Sequence, residues 1–514
     1  MSTWTLAYPR LRIRRRLWPA AGHSLGLLGL ILLALGCGSS SPVSERPPSP
    51  APAPATASLI LVHAVPDVAQ LDLWIDGERR IAGLAQREGS PLTPVSVGNH
   101  KVELRPAGAA ATDSPLWGGS VFAQDGQRLL LTALGRAADA QGAVGSTRLA
   151  VVAAKLSDAQ PSGLLLRGLH ASPALLGLQV ANTLGREPLP VFNLSPAVLS
   201  PAVDVELPLL ASMQSLRLAL RQAGEAFDLG SLVLSPSLLS ELSGHPQTVI
   251  LLGETNPLAS DASAFGALLL DETTGKLREL PFEPNGLGPK ATLYVLHASP
   301  DAGAIDLFSK LGGVRLLSGL EYRQATPLLE LIPMSYPLEL RPASLSPVWL
   351  QAKLRLLPNM HWVLVLGGKQ QGSSPTLRLS ALPRSKAVPN QTLRRAVYAV
   401  VDAPASSRLT LTVAGGPSFV DPVGLGGATP YRGGDITAGL LRMNLGGDSK
   451  QTWEIDLPQL VVDGAAKGVM ALYVTGTLGE PRLPIAGLAV IESSATATQA
   501  ALAVPLMTRL LPAP

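Results

Sequence analysis

The chain has 514 residues, of which 46% are hydrophobic and only 15% charged, with 50 Gly and 46 Pro. That length exceeds one domain, and so many breakers with so few charges exclude a protein of long helices in favour of short strands joined by tight turns. Of the 41 Lys and Arg, five lie in the first 36 residues, and the 36 left against 37 Asp and Glu make a near-neutral body with no net field for nucleic acid.

The first 36 residues read as an address. Arg10, Arg12, Arg14, Arg15 and Arg16 form a positive head, and Leu25–Leu35 is a short apolar run. A bilayer takes about 20 apolar residues, so this run is a cleaved signal and not a membrane helix. Ala34-Leu35-Gly36-Cys37 follows, and Cys37 is the only cysteine of the chain. The stretch resembles a bacterial lipobox, with Ala34 where leucine is commoner. The resemblance implies that residues 1–36 are a lipoprotein signal peptide and that Cys37 becomes the acylated first residue. With Gly38 in place of Asp after it, the destination implied is the outer membrane. Several acyl chains on one residue anchor stably where a single chain does not. No cysteine is left for a disulfide, so each domain must rest on its apolar core. Residues 37–58, which include SPVSERPPSPAPAPATAS from Ser41 to Ser58, are a tether extended at about 3 Å per residue.

Strand patterns then repeat. LILVHAVPDVAQLDLW (Leu59–Trp74) returns as LYVLHASPDAGAIDLF (Leu293–Phe308). In each, a β-branched and aliphatic strand meets a Pro-Asp turn, and strict alternation follows. Leu71, Leu73 and Ile75 face one way, and Asp72, Trp74 and Asp76 the other. GNHKVELRPAG (Gly98–Gly108) and SYPLELRPASL (Ser335–Leu345) occupy the same relative place, 42 residues from His63 to Arg105 and 44 from His297 to Arg341. Each unit goes on to an apolar strand ending in glycine, RLLLTALG or HWVLVLGG, and closes with one more. Weaker copies fill the gaps: GLHASPALLGLQV (Gly168–Val180), and VYAVVDAPASSRLTLTV (Val397–Val413), which has Tyr398 at the histidine position and keeps Asp402. Successive histidine positions lie 107, 127 and 101 residues apart, a domain-sized period longer than any solenoid repeat. The expected architecture is all-β: four tandem immunoglobulin-like β-sandwiches at 59–155, 160–275, 288–385 and 393–510.

HAVPDVAQLDLWIDG and HASPDAGAIDLF, each followed by a V-E-L-R-P or L-E-L-R-P strand, resemble the bacterial family known as domain of unknown function 4397. The match is good for units one and three, partial for two and marginal for four. The resemblance implies a secreted or surface β-sandwich and transfers no active site.

The recurring turn residues are the candidate site: His63, Asp67, His170, His297, Asp301, Tyr398 and Asp402. A His–Asp turn could serve as an acid–base or metal pair. Against that, an imidazole at a strand end can satisfy turn amides and carbonyls, and tyrosine in the fourth copy favours this framework role. Asp72 and Asp306 share their phase with Trp74 and Phe308, which predicts a solvated outer face, with a ligand patch as the alternative. No spacing shows the paired carboxylates of a glycosidase. GHSLG (Gly22–Gly26) fits a nucleophile elbow but lies inside the signal with no strand before it. The expectation is therefore a non-enzyme with no catalytic residues, metal or cofactor. It would touch the membrane through its lipid anchor and bind an envelope protein or a glycan, and no nucleic acid. A glycan hydrolase or an envelope-stress sensor is the alternative.

Overall fold

The structure, a computed structural model, describes residues 55–510 apart from 138–148, 160, 162, 176, 183–188, 206–214, 344–345, 372–375, 386–391, 401–402, 404–406, 415, 434–437, 447–451, 459–468, 478–483, 492–501 and 507. Cys37, the signal, most of the tether and Asp402 lie outside the described residues. The described ones form strands and one short helix, paired into eight sheets, two to each sequence unit.

Unit one contains β1 (Thr56–His63), β2 (Gln70–Ile75), β3 (Glu78–Ala85), β4 (Thr93–Ser96), β5 (Gly98–Pro106), β6 (Trp117–Ala123), β7 (Arg128–Leu134) and β8 (Ala150–Lys155). A back sheet of order β4-β1-β7-β8 packs on a front sheet of order β3-β2-β5-β6. The two halves of the strand–turn–strand motif thus go to different sheets, and β1 runs parallel to β7.

Unit two repeats the plan with β9 (Leu164–His170), β10 (Leu178–Asn182), β11 (Leu189–Leu194), β12 (Val203–Val205), β13 (Leu216–Gln222), β14 (Asp228–Leu234), helix α1 (Pro236–Leu242), β15 (Pro246–Leu252) and β16 (Gly266–Asp271). Ser235 caps α1, its hydroxyl accepting from the Leu238 amide, and a proline stands at the first turn. Two return strands, β17 (Leu277–Leu280) and β18 (Phe282–Pro284), extend the back and the front sheet by one strand each.

Unit three has β19 (Ala291–His297), β20 (Ile305–Ser309), β21 (Val314–Leu320), β22 (Leu329–Leu331), β23 (Ser335–Pro342), β24 (Leu350–Arg355), β25 (His361–Gly367) and β26 (Arg378–Pro383). Unit four has β27 (Leu393–Val400), β28 (Arg408–Val413), β29 (Ser418–Gly424), β30 (Arg432–Gly433), β31 (Gly439–Gly446), β32 (Thr452–Leu457), β33 (Val469–Gly476) and β34 (Ala486–Ile491). Its return strands are β35 (Leu502–Leu506) on the back sheet and β36 (Thr508–Leu510) on the front.

Each sandwich has its own core; in unit one Leu59 and Leu61 of β1 meet Leu71, Leu73, Val102 and Leu104 of the front sheet. The other face of the same strand is equally apolar and equally covered. Ile60, Val62 and Leu130 pack against Leu169, Ile250, Leu268 and Leu270 of unit two. Tyr294, Leu296 and Val365 pack in the same way against Val397, Ala471, Tyr473 and Leu488 of unit four. The back sheets therefore meet in pairs, one with two and three with four, and each pair is a four-layer block. This is why the central back strands read as unbroken apolar runs while β2 and β20 alternate.

A repeated arginine seals each block. Arg87 (φ 67) and Arg323 (φ 65) stand in the left-handed region just after the third strand of their units. The Arg87 amide donates to the His63 carbonyl at 2.9 Å and that of Arg323 to the His297 carbonyl at 2.8 Å. Their guanidiniums then reach the partner sandwich, Arg87 donating to the Ala264 carbonyl at 2.8 Å and Arg323 to that of Gly487 at 3.1 Å. Units two and four carry Ala197 (φ 60) and Gly426 (φ 75) at this corner, small residues that clear the approach.

Candidate functional site

Burial decides what the corner histidines can do. His63, His170 and His297 are all fully buried on the inner face of the back sheet. Nδ1 of His297 accepts from the Ser299 amide at 3.2 Å, so Nε2 carries the proton and donates to the Gly303 carbonyl at 2.7 Å. His63 accepts from the Val65 amide at 3.2 Å, and Nε2 of His170 lies 3.0 Å from the Leu175 carbonyl. The second nitrogen of His170 is buried without a hydrogen-bond partner, and His63, likewise buried, has the Val68 carbonyl beside it. Desolvation lowers His63 to about 4, opposed by the Val68 carbonyl and Asp67, and His170 to about 4, opposed by the Leu175 carbonyl. It lowers His297 as well. Tyr398, also fully buried, places its hydroxyl 2.9 Å from that of Ser407.

The turn aspartates point elsewhere. Asp67 accepts from the Ala137 amide at 3.0 Å, and Asp301 from the Gln370 and Gln371 amides at 2.9 Å each, so both tie the first turn to the loop after the seventh strand. Serine completes the tie: Ser172 donates to the Gly253 carbonyl at 2.6 Å and Ser299 to that of Gly368 at 2.7 Å. No three His, Cys, Asp or Glu side chains come together as a metal site among the described residues.

The outer face of the front sheet departs from expectation. Asp72 and Asp306 do lie on it, but each is only 1% exposed. The bulged third strand folds over them. Asp72 accepts from the Gly83 amide at 2.7 Å and the Gly108 amide at 3.1 Å, and Asp306 from the Gly319 amide at 2.7 Å. Arg79 lies 3.5 Å from the Asp72 oxygen that also accepts from Gly108, and Arg315 3.6 Å from the second oxygen of Asp306. These carboxylates are fasteners of the bulge, set by a ladder shift that alternation alone does not display. Beside them Arg105 lies 5.3 Å from the Trp74 ring, and Arg315 and Arg341 each 5.2 Å from that of Phe308.

Outside these motifs, charge gathers in a groove of about 490 Å³ lined by Arg87 of unit one, Glu254, Asp261 and Glu279 of unit two, and Lys353 and Arg355 of unit three. Arg87 pairs with Glu279 at 2.8 Å, Lys353 with Asp261 at 2.9 Å, Arg355 with Asp261, and Arg136 with Glu254. Burial raises Glu254, an effect that Arg136 opposes; burial and the nearby Arg87 lower Arg355. A second cavity, about 190 Å³ between units three and four, is lined by Val365, Leu382, Val397 and backbone, with Arg378 its one charged side chain. Neither was foreseen in the sequence. The signal for Arg87 was there, since Arg87 and Arg323 follow the corner histidines by 24 and 26 residues.

The family model of Domain of unknown function (DUF4397) matches residues 57–181 and 291–406. The chain carries tandem DUF4397 domains. Each match opens at the first strand of an odd-numbered sandwich and runs past its eighth into the start of the next, so the DUF4397 segments head the two blocks. No curated protein matches the chain. Among solved structures the Bacillus anthracis TIE protein is similar over 79% of this chain and 66% of its own, at 9% identity and a TM-score of 0.12, a likeness that carries no argument.

Proposed function

We propose that this DUF4397 protein is a lipid-anchored, non-catalytic part of the cell envelope. Acylated Cys37 holds it at the outer membrane on its Pro-rich tether, and its rigid sandwich blocks form a structural or adhesive array for an envelope protein or a glycan. One observation carries the reading: where acidic and basic side chains converge, in the groove of units one to three, each ion pair joins two different sandwiches. The imidazoles are likewise absorbed by the frame. Several copies of a rigid scaffold supply reach and avidity, whereas catalysis needs one open, pre-organised site.

The test has two arms. Full-length chain should fractionate with membranes and incorporate labelled palmitate, and Cys37→Ser should do neither. Captured from solubilised envelope, it should retain a discrete protein or glycan, found in parallel on a glycan array. A second reading, hydrolysis of an envelope glycan, is favoured by one feature, the raised carboxyl of Glu254 beside a charged groove. Release of soluble fragments from purified cell-wall glycan by the wild type, lost in Glu254→Gln, would replace the first reading with the second.

A further inference from the structure

The four sandwiches differ in how the far edge of the front sheet is finished. In unit two that edge, β14, is covered by β18, with Gly230 opposite Pro284 and Leu232 opposite Phe282. In unit four β32 is covered by β36, with Trp453 opposite Leu510 and Ile455 opposite Thr508. In unit three β24 is met by a loop of unit two: the Arg355 amide donates to the Pro257 carbonyl at 2.7 Å, and Leu258 packs on the unit-three core. In unit one the same edge is β6, and among the described residues it pairs with β5 alone.

β6 also lacks the devices that keep a bare edge from pairing. Its opposite number β3 is bulged and carries Glu78, Arg79 and Arg80. β6 reads WGGSVFA, without charge or proline, and its register with β5 is unbroken from Gly98↔Ala123 to Leu104↔Trp117. Gly118, Ser120 and Phe122 are exposed on its outer side, Phe122 by 60%.

We infer that β6 is a self-pairing edge, through which two copies of the chain join antiparallel about Ser120 into one continuous eight-stranded front sheet. The residues support a second copy as the occupant. With Ser120 opposite its own counterpart, each Phe122 falls opposite a Gly118, so the bulky residue of one strand meets the missing side chain of the other. No charge opposes the approach on either strand. The contact is isologous and closes at two copies, because among the described residues β6 is the one far front-sheet edge left bare. One strand edge is a small interface, so the dimer is weak and forms with rising concentration.

Sedimentation and light scattering of the full-length chain in detergent, from about 1 to 200 μM, test this. The mass should double over that range. Phe122→Lys and Ser120→Lys should each weaken the dimer at least about 10-fold, with melting temperature unchanged because both side chains are exposed. Ser120→Cys should give a disulfide-linked dimer under mild oxidation, which the wild type, with Cys37 alone, should not. A wild type that stays monomeric throughout, or a dimer that survives both lysine variants, overturns the inference. So does a monomer in which the β6 amides that face away from β5 resist hydrogen exchange, since the edge would then be covered by the chain itself.

Discussion

At neutral pH the imidazoles of His63 and His170 are uncharged in the fold because burial holds them at about 4, while an unfolded chain takes up their protons near 6.5. Below that value the unfolded state binds more protons, so the stability they contribute is complete above pH 6.5 and is lost as the pH falls toward 4. A displacement of that size corresponds to about 3 kcal/mol for each histidine by pH 4, and His297 is displaced the same way. His100 runs opposite. The Asp76 carboxylate raises it, so its contribution is present at low pH and lost as the pH rises through its folded value. Thermal melts of the full chain should therefore show a steep fall between pH 6.5 and 4 that His63→Asn makes shallower, at a cost of about 2 kcal/mol at pH 7. A melting temperature level across that range would refute the burial account. The glycines separate two kinds of constraint at the same scale. Gly83 has φ +62 with nothing within 4 Å of an added Cβ, so Gly83→Ala should cost only the backbone strain, about 1 kcal/mol. At Gly253 (φ +87) the Cβ would lie 2.1 Å from the Ala264 carbonyl oxygen, and Gly253→Ala should cost several times more. Denaturant titration of the two variants distinguishes these outcomes.

The back-sheet strands show what an element can and cannot disclose. The runs LILVH, RLLLTAL and VMALYVTG have no alternation, and a strand apolar on both faces must be covered on both. That much is legible without coordinates, as are the sandwich plan, the Gly that ends the seventh strand and the four-fold repeat. The identity of the covering layer is not legible, because a sheet of any other unit would satisfy the same run. Pairing of one with two and of three with four is fixed by non-local features such as Arg87 finding the Ala264 carbonyl, 177 residues away. The sealing of Asp72 was hidden for a different reason. Alternation assigns a side chain to a face, but the bulge that folds over that face depends on a ladder shift and on Gly83 taking a left-handed φ. At the shared face, Ile60→Asp would place an unpaired carboxylate among Leu169, Ile250 and Leu270. The expected cost is about 3 kcal/mol or more. Because the damaged layer belongs to two sandwiches, calorimetry should show the first block melting in two steps instead of one, with the second block unmoved. A single broadened transition of the whole chain would mean that the blocks are not separate cooperative units.

Across the whole molecule, the two blocks differ from their own interiors in what holds them together. Within a block the contact is sheet on sheet and apolar. The joint between unit two and unit three rests instead on the Arg355 amide to the Pro257 carbonyl, the Arg355 guanidinium to the Ala259 carbonyl at 2.6 Å, Leu258, Met360, which packs on both cores, and the pairs of Lys353 and Arg355 with Asp261. Asp261 is 81% exposed, so its ion pairs are worth a fraction of a kcal/mol and weaken further in salt. A joint of this kind orders the blocks without adding much to their stability. Asp261→Ala should accordingly leave both melting transitions where they are while broadening the distribution of distances between spin labels placed at the exposed Ala153 of β8 and Arg442 of β31. About 1 M salt should do the same to the wild type, where the screening length falls to about 3 Å. An unchanged distribution in both cases would put the order of the joint on Leu258, Met360 and the bonds of Arg355 to the Pro257 and Ala259 carbonyls, and Leu258→Ala together with Met360→Ala should then loosen it.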